Sequence, residues 1–277
     1  MKRILAFDVD QTLNIAKTPI PDEIADLLIG CLDAEFEICP ISGQKFDQFL
    51  IQIVDPLVSH GATSENLSHL HLFVAQGTQY YTYEPGKTFG KGPVALTISK
   101  DDEPYDAAHW SQVYDFPLSD EDVVKITTTL EAAARELGYW EEDKLAPGDE
   151  IIENRHSQVT FSALGQKAGT EAKYAWDPDH KKREQIVARA QELAPEFAYE
   201  IGGTTSINAT LPGRNKQFGM EHLMEELDAG IDEILYFGDM TQPGGNDYPV
   251  VQMGINTITV RSHEDTAYAL RGILGVL

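Results

Sequence analysis

The chain has 277 residues and carries 21 Lys+Arg against 45 Asp+Glu, a formal net charge of −24. That acidity repels phosphate backbones, which excludes nucleic acid as a partner, and it disfavours an anionic membrane surface. No apolar run reaches the roughly 18–20 residues of a membrane-spanning helix, and a content of 42% hydrophobic residues suits a globular protein of one large or two smaller domains.

Two cysteines, Cys31 and Cys39, make no disulfide framework, and a reduced compartment follows as the simpler expectation. The N-terminus begins as a signal peptide would, with Lys2 and Arg3, but Asp8 and Asp10 interrupt any apolar core of an export signal. A cytoplasmic protein is therefore expected.

Taken in chain order, residues 3–9 form a short, nearly continuous apolar run, as a strand buried on both faces requires. Pro21 then opens a helix with Ile24, Leu27, Leu28, Cys31 and Leu32 on one stripe. A strand over 36–41 and a helix over 46–54 continue the alternation of a parallel sheet with crossover helices. Residues 70–75 and 79–83 flank Gln76-Gly77-Thr78 as a hairpin, and Glu84-Pro85-Gly86-Lys87 reads as a linker. Beyond it the texture changes to α+β, with strands expected at 93–99, 150–154, 157–163 and 204–210 and helices at 120–137 and 179–193. Trp110, Trp140 and Trp176 are expected in the core of this insertion. After Pro212-Gly213 the first pattern resumes, with a helix at 216–228, strands at 234–237 and 257–260, and a C-terminal helix.

Four features carry chemistry. Asp8 and Asp10 stand two apart where the first strand ends, the edge at which open α/β sheets bind ligands. Two crowded carboxylates repel unless a cation joins them, and a hard dication is the natural one; the competing reading is a pair of turn formers. Phe237-Gly238-Asp239 followed by Pro243-Gly244-Gly245-Asn246-Asp247 repeats the theme, with ordinary turn chemistry as its competitor. Ser42-Gly43 ends the second strand, where a hydroxyl and backbone N–H groups suit a phosphate oxygen. Lys216 starts a helix and supplies positive charge, unless it is simply solvated. His60, His69 and His71 lack the spacing of a zinc site.

In this order the four features resemble the motifs of the haloacid dehalogenase phosphotransferase superfamily, and the likeness runs the length of the chain. Asp8-Val9-Asp10-Gln11-Thr12, Ser42, Lys216 and Gly238-Asp239 with Gly244-Gly245-Asn246-Asp247 match its four motifs. The strings Tyr236–Asp247, Gly202–Asn208 and Ile151–Arg155 with Ala163-Leu164-Gly165 look like the phosphomannomutase group. The resemblance implies an α/β fold: a Rossmann-like core with a parallel sheet (1–85 and 211–277) and an inserted α+β cap of the C2 type (86–210) that closes over the substrate.

It further implies Asp8 as the nucleophile that becomes an aspartyl phosphate and Asp10 as general acid and base. Mg²⁺ would be held by Asp8, the Asp10 carbonyl and Asp239, with Asn246 and Asp247 in support. Thr12, Ser42, Gly43 and Lys216 would bind the phosphoryl oxygens, and Arg155, Ser206, Asn208 and Lys17 the rest of a sugar phosphate. Three positions depart from the mutase pattern: Gln11 replaces Gly, Asn208 replaces Asp, and Gln166 replaces a second Arg. Fewer cap cations weaken the grip on a second phosphate, so the expected activity is a Mg²⁺-dependent hexose-phosphate phosphatase acting through an aspartyl phosphate. A true phosphomannomutase or phosphoglucomutase is the alternative, and a silent sugar-phosphate-binding protein a remote one. The insertion argues strongly against a receiver-type signalling module. Homodimers formed through the cap occur in the resembled group; the charge speaks neither for nor against them.

Overall fold

In a computed structural model of the chain, the described residues are 3–15, 18–84 and 110–277. The strand expected at 93–99, the linker after Glu84 and the position of Lys17 lie outside them. The chain divides into two compact units, Met1–Asp115 with Asn215–Leu277, and Phe116–Arg214. These limits differ from the expected 86 and 210 because β5 (Trp110–Asp115) pairs with β4 (Gln79–Tyr83) inside the first unit. Trp110 accordingly belongs to the core of the first unit, beside Phe46 and Tyr83, and not to the insertion.

The first unit is built on a parallel sheet in the order β11-β10-β1-β2. The central strand β1 (Ile4–Phe7) is buried along its whole length, as four apolar residues between two parallel neighbours must be. β1 pairs with β2 (Glu37–Pro40) on one side and β10 (Ile234–Gly238) on the other, and β11 (Asn256–Thr259) extends the sheet beyond β10. The chain thus leaves β1 in one direction and returns on its opposite side, which opens a crevice at the carboxyl ends of β1 and β10.

Helix α1 (Asp22–Asp33) buries Ile24, Ala25, Leu28, Cys31 and Leu32, the stripe its sequence spacing predicts. The helix expected at 46–54 is longer: α2 (Phe46–Phe49) passes through a wider turn at Leu50–Val54 into α3 (Asp55–Ser59), where Pro56 falls in the first turn. α4 (Ser64–Ser68), a single turn capped by Thr63, then leads to β3. β3 (His71–Val74), β4 and β5 form an antiparallel sheet, and β3 is bridged to β2 at Ile38–Leu70 and Ile41–Phe73.

The second unit has an antiparallel sheet in the order β6-β7-β9-β8, built from Ile152–Asn154, Val159–Ser162, Ser206–Thr210 and Ala198–Gly202. Val159, Phe161, Ile207 and Ala209 face a core closed by α5 (Asp120–Glu136) and α7 (Lys181–Leu193). The intervening residues Thr160, Ser162, Ser206 and Asn208 therefore share the opposite face, as the two-residue period dictates. A short helix, α6 (Thr170–Trp176), precedes a buried ion pair between Asp177 and Arg183, whose guanidinium also donates to the carbonyl of Gly203 at 2.6 Å.

Candidate active site

Asp8 follows the last residue of β1, and its N–H still bonds the Phe237 carbonyl of β10 at 2.8 Å. Asp239 follows β10 directly. Carboxylate oxygens of Asp8, Asp239 and Asp247 all lie within 4.8 Å of one another at this end of the sheet. Lys216 begins α8 (Lys216–Glu226), which Asn215 caps by accepting from the N–H groups of Gln217 and Phe218. The Lys216 ammonium is buried, and it donates to Asp8 Oδ1 and to Asp247 Oδ1, the latter at 2.6 Å.

Two glycine sites explain how these side chains meet. A Cβ on Gly219, one turn along α8 from Lys216, would lie 2.9 Å from both the Gln76 carbonyl oxygen and Gly77 Cα. Only the bare glycine lets α8 approach the turn between β3 and β4 so closely. A Cβ on Gly245 would overlap the Met240 carbonyl oxygen. The tight Gly244-Gly245 loop is what brings Asp247 back under β10, where its Oδ2 accepts from the Met240 N–H at 2.9 Å.

The electrostatics are those of crowded acids. Burial pushes the Asp8 carboxyl well above the ordinary carboxylate range, against the pull of Lys216. Burial and then the charge of Asp247 push Asp239 up to about 6. Burial opposes the charge on Lys216 too, but Asp247 and Asp8 outweigh it and hold the ammonium firmly protonated. One lysine for three clustered carboxylates leaves an excess of negative charge that a dication would neutralise. Asp247 already accepts from Lys216, Tyr236 and the Met240 N–H, so Asp8 and Asp239 are the carboxylates left to serve as ligands. Two buried atoms in the matching motifs, Thr12 Oγ1 and Asn246 Oδ1, lack any protein partner. Unsatisfied polar atoms beside hard oxygen donors fit a Mg²⁺ ion with its waters and a phosphoryl group.

Ser42 is buried at the end of β2, its N–H held by the Phe73 carbonyl at 3.2 Å, and Gly43 follows it half-buried. Gln44, which the sequence reading passed over, donates from its side chain to Asp10 Oδ1 at 3.0 Å and from its backbone to Ser42 Oγ at 3.4 Å. Its only sequence signal was its place directly after Ser42-Gly43. Tyr236, which the sequence reading used only as the start of a family string and gave no role, donates its hydroxyl to Asp247 Oδ1 at 2.5 Å; burial and then the Asp247 charge keep that phenol protonated. Gln11 adopts a left-handed φ of 66°, a conformation that costs glycine nothing and accounts for the glycine expected there.

Of the other residues expected to bind substrate, Arg155, Ser206 and Asn208 lie in the second unit, and Lys17 lies outside the described residues. On the polar face of its sheet, Asn208 Oδ1 accepts from Thr160 at 2.9 Å, and Ser206 Oγ meets Ser162 Oγ at 3.0 Å. Gln166 Nε2 donates to the same Ser162 hydroxyl at 3.0 Å. Arg155 pairs with Glu153 at 2.8 Å, a neutralising partner that the sequence reading missed although it stands only two residues away. The other basic side chains nearby are engaged as well: Lys167 with the Pro147 and Gly148 carbonyls, Lys173 with the Gln166 carbonyl, and Arg183 with Asp177.

Among the described residues, no helix is long and apolar enough to cross a membrane. A sequence profile of the family described as "Eukaryotic phosphomannomutase" matches residues 145–276. A phosphomannomutase of Drosophila melanogaster is 33% identical over 255 residues, 89% of this chain and 85% of that one. With a phosphomannomutase of Encephalitozoon cuniculi the likeness is 30% over 122 residues, 42% of this chain and only 46% of that one, so there the chain matches about half of its relative's length. A haloacid dehalogenase-like hydrolase from Bacteroides thetaiotaomicron shares the fold, with a TM-score of 0.59 at 12% identity over 99% of this chain and 100% of that one. From the motif geometry and this extended likeness together, the chain belongs to the phosphomannomutase family, within the haloacid dehalogenase superfamily of phosphotransferase enzymes.

Proposed function

We propose that the first unit transfers a phosphoryl group from a hexose phosphate to water by way of an aspartyl phosphate on Asp8. The observation that carries this reading is the buried Lys216 ammonium bound to Asp8 and Asp247 at the carboxyl end of the parallel sheet. Asp8 attacks the phosphorus atom while Lys216, Thr12 and Ser42 bind the non-bridging oxygens. Asp10 gives a proton to the leaving sugar oxygen and later takes one from the attacking water. Asp8, Asp239 and the Asp10 carbonyl would hold Mg²⁺, which when bound offsets the charge of the phosphoryl group against the carboxylates. Asp247, fixed by Tyr236 and the Met240 N–H, keeps Lys216 pointed at Asp8.

The preference for water as acceptor rests on the second unit. A mutase must grip a second phosphate, and each charge-assisted bond to it is worth about 1.5–3 kcal/mol. Arg155 is matched by Glu153, and Gln166 and Asn208 present neutral amides that suit sugar hydroxyls better than a phosphate dianion. The competing reading is a true hexose phosphomutase, favoured by the likeness over 89% of the chain to a relative named for that activity.

One assay separates them. With Mg²⁺ and mannose 1-phosphate or glucose 1-phosphate, free phosphate as the main product supports the phosphatase. Hexose 6-phosphate formed only when a trace of hexose 1,6-bisphosphate is added, with little free phosphate, establishes the mutase instead. Asp8→Asn is expected to abolish either activity; retention of near wild-type turnover would refute the nucleophile.

A further inference from the structure

We propose that Gln44 is a positioning residue for proton transfer, fixing which oxygen of Asp10 carries the proton to the leaving group. The proposal rests on the reading of Asp10 as the general acid. Its basis is geometric. Gln44 is held at three points: its backbone N–H on Ser42 Oγ, its carbonyl accepting from the Ala75 N–H at 3.0 Å, and its side-chain amide on Asp10 Oδ1 at 3.0 Å. The residue is 7% exposed, so the amide has little room to swing away. A carboxylate only accepts hydrogen bonds, so the carboxamide turns its nitrogen toward Oδ1. With Oδ1 engaged as an acceptor, a proton on Asp10 is directed to Oδ2.

The amide oxygen, Gln44 Oε1, is buried without a protein partner. Leaving such an acceptor unsatisfied costs about 1–3 kcal/mol, so packing alone would favour an apolar side chain of the same length at this position. An amide kept there despite that cost implies that its donor end is needed. The same residue also ties the two halves of the chemistry together. Its backbone N–H occupies Ser42 Oγ as an acceptor, which leaves the Ser42 hydroxyl hydrogen to point at a phosphoryl oxygen, while its side chain aligns the acid for the bridging oxygen.

In the step concerned, a bond forms between an Asp8 oxygen and phosphorus as the bond from phosphorus to the bridging oxygen breaks. The electron pair of the broken bond stays on that oxygen, and the proton from Asp10 Oδ2 neutralises it. Asp10 is then a carboxylate, ready to accept a proton from the water that cleaves the aspartyl phosphate. Help of this kind matters most when the leaving group is strongly basic, as a sugar alkoxide is, and least for p-nitrophenolate.

The test is the leaving-group dependence of kcat/KM, which covers events up to and including loss of the alcohol. Gln44→Met keeps length and removes the donor. Substituted phenyl phosphates and mannose 1-phosphate would be compared for wild type, Gln44→Met and Asp10→Asn. The expected result is a loss in Gln44→Met that grows with leaving-group basicity and is roughly tenfold greater for mannose 1-phosphate than for p-nitrophenyl phosphate. Asp10→Asn should show the same trend, more steeply. An equal fractional loss across the series in Gln44→Met, with a steep trend in Asp10→Asn, overturns the proposal and leaves the role of Asp10 standing. A flat response in Asp10→Asn removes the general acid itself, and the proposal with it. Should the Met variant fail to fold, Gln44→Leu also removes the donor without adding a charge and carries the same expectation.

Discussion

The carboxylate cluster sets the direction in which stability should change with pH, and with Mg²⁺ if the proposed site holds it. Burial and the charge of Asp247 raise Asp239 from an ordinary 3.8 to about 6. A carboxyl whose folded pKa is raised stabilises the fold while it is protonated. That contribution is complete below the unfolded value and is lost as pH rises through the folded one. Between pH 5 and pH 7.5 the metal-free protein should lose on the order of 1–2 kcal/mol through Asp239, a few degrees in Tm for a unit of this size. Asp8, raised by burial in the same direction, adds to the trend. A Mg²⁺ ion held as proposed would take the deprotonated carboxylates, so it should raise Tm clearly at pH 7.5 and far less at pH 5. The assay is thermal unfolding at both pH values, in chelator and in saturating Mg²⁺, for wild type and Asp239→Asn. The variant should show a shallower pH slope and a much reduced response to Mg²⁺. Parallel pH profiles for the two proteins, with Mg²⁺ shifting neither, would refute both the charge crowding and the metal site.

Other perturbations probe the supports of the site and of the second unit. Lys216→Met removes the ammonium from between Asp8 and Asp247 and should cost about 3–5 kcal/mol, as loss of one partner of a buried pair does; a change in Tm below about 2 °C would contradict it. Gly219→Ala sets a methyl 2.5 Å from Ile41 Cδ1 and 2.9 Å from the Gln76 carbonyl oxygen. The overpacking should cost about 1–3 kcal/mol and swing α8, and with it Lys216; kcat/KM measured well below Tm should therefore fall by tenfold or more, and an unchanged value would mean that α8 tolerates the displacement. Arg183→Met strands the fully buried Asp177 carboxylate, with an expected loss of about 3–5 kcal/mol in denaturant unfolding at neutral pH.

The core motifs were legible because of their order, with acids and a serine where strands end and Lys216 where a helix starts. The run Ile4–Phe7 is apolar on both faces, so it had to be a central parallel strand, and the acids after it had to emerge at its carboxyl end. Periodicity also placed α1, α5 and α8 to within a residue or two of their ends. What escaped the sequence depended on contacts between distant segments. Trp110 reads as part of the insertion, and only its pairing through β5 to β4 assigns it to the first unit. Strand β8, Ala198–Gly202, has weak alternation of its own and is held by β9 and α7. Gln44 and Tyr236 are ordinary residues in sequence; they gain meaning only because Asp10 lies 34 positions before the one and Asp247 11 positions after the other.

The two units manage charge in opposite ways, and this bears on which acceptor takes the phosphoryl group. In the first, acids outnumber the one buried lysine, and Thr12 Oγ1 and Asn246 Oδ1 stand unpartnered; the arrangement is poised to receive a cation and an anion together. In the second, Arg155 is met by Glu153 and Arg183 by Asp177, so cationic charge is balanced within the unit. A phosphate dianion arriving beside Arg155 would have to compete with a carboxylate held at 2.8 Å and would meet the repulsion of that carboxylate as well. A neutral hydroxyl meets no such penalty: it can donate to Glu153 and accept from Arg155 at once. That pairing is what the proposed phosphatase reading leans on: a mutase would need the second unit to hold a phosphate dianion in spite of the Glu153 carboxylate.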